Sequence, residues 1–169
     1  GFRTNIRREQ SCSIKSLTRD YLYEQLLNSG EYTFDHMLVI KDPYGEAPLT
    51  ALALFILEEP ACVRVTTKGD LKETDFVTEL PKKKEHRVPI LGMYAEKAND
   101  IVIEILDDEG NCVKSHTFTI RTKRLPKSLR NVITVKKWTD KPAYSNIMIN
   151  GGVKIHTCVF DIEGKIRYY

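Results

Sequence analysis

No run in this 169-residue chain approaches the roughly 20 consecutive apolar residues that a membrane-spanning helix requires, so no membrane span is expected. The longest apolar stretch, Ala47 to Leu57, contains Pro48 and reads as strand. Cysteine is sparse and scattered: Cys12, Cys62, Cys112 and Cys158 form no CxxC pair and no Cys/His cluster at zinc spacing, which argues against a structural metal site. Two disulfides and four thiols both remain open. There is no GxSxG, no Gly-rich phosphate loop and no HExxH, so no cofactor is expected and an independent hydrolase finds almost no support. A strong charge of either sign is also missing. The net charge of +3 falls short of a dedicated nucleic-acid binder, and no nucleic-acid partner is expected. Nor is there an initiating Met or a signal peptide ahead of Gly1, which suggests a processed or excised chain.

What is present is the composition of a globular domain, 41% hydrophobic and 29% charged. Gly1 to Ser11 is polar, without alternation, and reads as a mobile lead-in. One short helix follows. Ser16 or Thr18 can cap it, Leu17, Tyr21, Leu22 and Leu26 form its apolar face, and Gly30 suits the left-handed stop. From Tyr32 the period changes to two, with short β-rich runs between Asp, Pro, Gly and Asn clusters, the pattern of an antiparallel β-sandwich of about seven strands.

Phe34 to Lys41 leads into a tight turn, Asp42-Pro43-Tyr44-Gly45, in which Pro presets φ at the second position and Gly relieves the last. Ala47 to Leu57 and Cys62 to Lys68 flank Glu58-Glu59-Pro60, and Val63 and Val65 alternate with Arg64 and Thr66. Thr74 to Leu80 is a further strand. The charged run Lys82 to Arg87 fits an exposed edge or loop, and Val88 to Tyr94, with Pro89 and Gly92, fits a bent edge or corner. The clearest hairpin joins Ile101–Leu106 to Val113–Ile120 through a turn carrying Gly110. A basic connector then runs from Arg121 to Lys141, with one strand at Val132 to Lys136. Val153 to Tyr169 forms a last hairpin whose partner strands are missing, so the chain reads as interrupted at the start of another β domain. The division expected is 1–31 lead-in and helix, 32–121 sandwich, 122–152 linker and 153–169 hairpin.

Three blocks carry a family resemblance. The stretch from Asp42 to Leu52 resembles the DPYG-x-APLTAL segment of the bacterial aryl-sulfate sulfotransferases; Val88 to Tyr94, followed by Ala98-Asn99, is similar to their PI-x-G-hydrophobic-Y segment; and Val159 to Tyr169 looks like the D-x-x-G-x-x-R-aromatic-aromatic hairpin where their propeller begins. Gly1 to Glu31 has no counterpart. The resemblance implies an amino-terminal immunoglobulin-like sandwich without catalytic residues, whose partners are its own carboxy-terminal propeller and a second subunit in a homodimer. It also implies an extracytoplasmic location in the periplasm or at the cell surface. In such enzymes a propeller histidine takes the sulfuryl group from a phenolic sulfate ester and passes it to a phenol, with cations neutralising the sulfuryl oxygens.

Within the chain itself no group has the company that chemistry requires. His36 and His116 sit in strand-like runs, His86 in a charged loop, and His156 on the last hairpin. Glu58-Glu59 and Asp107-Asp108 fall in turns, where carboxylates are solvated. The basic connector lacks the interleaved aromatics of a nucleic-acid groove. The residues singled out are therefore structural, as candidates for an interdomain surface: Pro43, Tyr44, Gly45 and Pro48 at one turn, and Pro89, Gly92 and Tyr94 at another. The alternative reading is an extracytoplasmic immunoglobulin-like module that binds a carbohydrate or protein ligand and belongs to no enzyme.

Overall fold

The computed structural model describes residues 16–140, 142, 144–150 and 155–169. The lead-in expected over Gly1 to Ser11, together with Cys12, lies outside these residues. Residues 16–28 form a helix, α1, which ends as expected: Ser29 still donates to the Gln25 carbonyl, and Gly30 takes φ +72°. Thr18 sits inside the helix, so it is not the cap.

Eight strands follow among the described residues: β1 Leu38–Lys41, β2 Ala51–Thr67, β3 Phe76–Ile90, β4 Ala98–Leu106, β5 Cys112–Arg121, β6 Tyr144–Asn150, β7 Ile155–Asp161 and β8 Ile166–Tyr168. The first five make one antiparallel sheet in the order β1-β2-β4-β5, with β3 also paired to β2, and the last three make a second in the order β6-β7-β8. Two long strands build the sandwich. The first half of β2 pairs with β1 and with the end of β3, whereas its second half lies between β4 and the start of β3. Register shifts between Ile56 and Val63 let β2 bend from one layer to the other.

The expected turn at Glu58-Glu59-Pro60 is thus corrected to the exposed middle of a continuous 17-residue strand. Pro60 lies within the register shift, where its missing N–H costs the ladder nothing. Lys82 to Arg87 likewise belongs to β3, which among the described residues pairs with β2 alone, so the edge reading of this charged run holds and the loop reading does not.

The first half of β2 is buried on both faces, which explains its unbroken hydrophobicity. Ala51, Ala53, Phe55 and Leu57 join Val63, Val65, Val88, Ile90, Ile101, Ile103 and Ile120 in the sandwich core. Leu52 and Leu54 point the other way, against Tyr23, Leu26 and Leu27 of α1. Full burial of a Val, Leu, Ile or Phe side chain such as Leu54 or Phe55 contributes about 1.5–3 kcal/mol. In the second half of β2, Val63 and Val65 face the core while Arg64 forms a bidentate pair with Glu104 directly opposite, at 2.8 and 3.0 Å.

The face of α1 is a second correction. Leu17, Tyr21 and Leu22 are 65%, 66% and 52% exposed, and the docked face is Arg19, Asp20, Tyr23, Leu26 and Leu27. The helix carries two apolar stripes, and polar partners select between them: the Tyr23 hydroxyl and Arg19 both donate to the Pro43 carbonyl, and Asp20 accepts from Tyr44 and Arg87.

The β4–β5 hairpin is as expected, with Gly110 donating to the Asp107 carbonyl. Among the described residues Cys62, Cys112 and Cys158 are free thiols. The connector is more structured than its composition implies. Leu129 is buried in the sandwich core, with Leu125 and Ile133 against it. No strand forms over residues 132–136. Instead Tyr144–Asn150 pairs with β7 and supplies the partner that the last hairpin was expected to lack.

Candidate interdomain site

The expected candidates fall into two places. Around the first turn, Gly45 donates to the Asp42 carbonyl at 3.0 Å, closing the turn read from Asp42-Pro43-Tyr44-Gly45. Pro43 and Tyr44 face α1: the Pro43 carbonyl accepts from the Tyr23 hydroxyl, and Tyr44 sets its ring edge-on to Tyr23 and donates its hydroxyl to Asp20, while Pro48 is exposed. Pro89 is an exposed residue of β3 opposite Leu52. Gly92 and Tyr94 lie elsewhere, buried against the last hairpin.

At this second place sequence reasoning missed the central residue. Arg167, on β8, is only 1% exposed. Its Nε donates to the Gly92 carbonyl at 2.7 Å, and its Nη1 lies 2.8 Å from the Thr74 carbonyl, 3.0 Å from Asp161 Oδ2 and 3.1 Å from the Tyr94 hydroxyl. The guanidinium also stacks on Tyr94, with its carbon 3.9 Å from the ring centroid. Nη2 is buried and has no hydrogen-bond partner among the described residues.

Local structure holds each acceptor in place. A 3-10 turn at Lys72–Thr74 presents the Thr74 carbonyl, which also accepts from the Tyr144 hydroxyl at 3.0 Å. Gly92 takes φ +79°, a region L side chains avoid, and a Cβ there would stand 2.7 Å from Phe76 Cβ. Asn99 grips Tyr94 from both sides, accepting from its amide at 2.8 Å and donating to its carbonyl at 3.0 Å. At the rim, Asp70 pairs with Lys97 and Lys165, which hold its carboxyl down at about 2. Burial of the Tyr144 ring pushes its phenol up. A cleft of about 320 Å³ opens beside the joint, lined by Tyr94, Leu129, Ile133, Gly164 and Ile166 among others.

The signal for Arg167 was present in the third sequence block, together with Asp161 and Gly164, and the signal for Asn99 trailed the second. Pattern alone did not say that these two blocks touch.

The histidines are placed as structure. His86 is buried within β3 rather than in a loop; its ring stacks on Phe55 at 5.4 Å and its Nε2 lies 3.0 and 2.8 Å from the Ala61 and Lys83 carbonyls. Burial lowers its pKa. His116 lies in β5 between Phe34 and Phe118, and His36 occupies a turn rather than a strand. The side chain of His156 lies outside the described residues.

This architecture, mainly β with antiparallel sheets around one core, is that of an immunoglobulin-like domain. The sequence profile of the arylsulfotransferase Ig-like domain matches residues 38–123, from β1 through the end of β5. The chain belongs to the arylsulfotransferase family through this domain. No curated protein matches it. Among the described residues, no helix is long and apolar enough to cross a membrane.

Proposed function

We propose that this chain is the non-catalytic amino-terminal structural and assembly domain of an aryl-sulfate sulfotransferase. The parent transfers a sulfuryl group from a phenolic sulfate ester to a phenol through a histidine of a carboxy-terminal propeller, works outside the cytoplasm and is a homodimer. Residues 153–169 are the hairpin from which the propeller continues. The interdomain candidates Pro43, Tyr44, Gly45, Pro48, Pro89, Gly92 and Tyr94 belong to this reading, with Gly92 and Tyr94 nearest the joint.

The observation that most supports the reading is the meeting of two sequence blocks: Arg167 of the last hairpin sits on Gly92 and Tyr94 of the sandwich. A sandwich that supports a neighbouring catalytic unit needs a stiff joint of this kind, because relative motion is the default between loosely packed domains.

The deciding experiment is sulfuryl transfer from a chromogenic aryl sulfate to phenol, run on this chain and on the chain extended through the parent's propeller. Activity in the extended chain alone supports the proposal. Activity in the present chain overturns it, and silence in both favours the ligand-binding module. Deleting the residues ahead of Tyr32 from the parent and measuring its oligomeric state tests whether α1 takes part in assembly.

A further inference from the structure

The groups around Arg167 form a site with its own chemistry. Two backbone carbonyls, from Thr74 and Gly92, point at one plane, and the hydroxyl and ring face of Tyr94 complete it. All three residues lie on the sandwich side, where the local bonds of Asn99 and of the 3-10 turn shape them. The Tyr94 ring takes either kind of cation, with Lys97 Nζ 4.3 Å from its centroid, but two carbonyls placed to meet both Nε and Nη1 match a planar guanidinium better than a compact ammonium.

We propose that the Ig-like sandwich carries a guanidinium-binding socket formed by Thr74, Gly92 and Tyr94, and that Arg167 fills it to make the β6–β8 sheet part of the sandwich's own folding unit. The carboxylate that balances the cation, Asp161, comes from the same hairpin as Arg167, so socket and plug are each incomplete alone. Apolar packing follows the same path. Cys158 of β7 and Ile166 of β8 are buried in one cluster with Val65, Ile90 and Ile103 of the sandwich. The family match ends at residue 123, whereas the core continues to Ile166. This inference goes beyond the functional reading and does not depend on it.

The test uses the whole chain as wild type, Arg167→Ala and Arg167→Lys, with the exposed-side-chain change Arg124→Ala as control. Thermal midpoints are read with and without millimolar N-ethylguanidinium, and with N-ethylammonium at the same concentration, alongside amide hydrogen exchange. Both Arg167 variants are expected to melt roughly 10 °C below wild type. N-ethylguanidinium restores part of that loss to Arg167→Ala, does nothing for wild type or Arg124→Ala, and is not replaced by N-ethylammonium. Exchange in Arg167→Ala rises together in residues 70–94 and 155–169. The proposal is overturned if Arg167→Lys melts with wild type, or if exchange rises in 155–169 while 70–94 stays protected. Should Arg167→Ala fail to fold, the exchange map of Arg167→Lys decides between the same two outcomes.

Discussion

Arg167 and Tyr94 stand 73 residues apart in the chain, yet the guanidinium carbon of one lies 3.9 Å over the ring of the other, and Nη1 reaches its hydroxyl. The contact joins an immunoglobulin-like layer to a sheet beyond its family boundary, and several residues with no chemistry of their own matter because they shape it.

Gly92 is the first of these. Gly92→Ala places a Cβ 2.7 Å from Phe76 Cβ and 2.9 Å from its Cγ at a backbone φ of +79°. Strain and overpacking act together, and a loss of about 2–4 kcal/mol is expected from urea unfolding midpoints. A loss below about 0.5 kcal/mol would mean that Phe76 yields freely.

The docked face of α1 predicts an asymmetry between neighbouring residues. Tyr23→Ala removes a buried ring and its bond to the Pro43 carbonyl and should cost about 3 kcal/mol. Leu17→Ser, on the exposed side, should stay within about 0.5 kcal/mol of wild type. Equal effects in chemical denaturation would contradict the packing described.

His86 makes stability depend on pH. Burial lowers its pKa in the folded chain, so the unfolded chain binds the proton more readily. Stability is therefore complete above the ordinary histidine range near 6.5 and falls as pH drops from there toward the lowered folded value, by up to about 1.4 kcal/mol per pH unit. Urea midpoints at pH 7.5 and pH 5 should differ, and His86→Phe should flatten the difference.

Asp70 acts in a lower window. Lys165 and Lys97 bring its carboxyl to about 2, below its unfolded value, so its contribution is present above about 4 and disappears as pH falls through 2. The group is partly exposed and screened, which limits the effect of Asp70→Asn to about 1 kcal/mol at neutral pH. Raising salt should narrow the gap between variant and wild type.

Legibility from the sequence followed the range of each interaction. The turn closed by Asp42 and Gly45, the β4–β5 hairpin around Gly110 and the stop at Gly30 were readable, because each rests on φ preferences and bonds within a few residues. The end of the helix was legible; its buried face was not. Two apolar stripes compete on α1, and the choice depends on Pro43, Tyr44 and Arg87, which only the fold brings near. Charge left edge and loop both open at Lys82 to Arg87, since ladder bonds are made by the backbone and an edge strand tolerates solvated side chains.

By itself, then, the sequence determined a mainly β chain with one helix, its tight turns and the two blocks, Asp42 to Leu52 and Val88 to Tyr94, that fall within the matched family domain, because periodicity and turn chemistry are local. The tertiary structure alone decided that β2 bends through both layers, that Tyr144–Asn150 completes the last hairpin, and that Arg167 is buried on Tyr94. A buried guanidinium persists only where distant carbonyls, a ring and a carboxylate converge to replace the water it has lost, and no local pattern encodes that convergence.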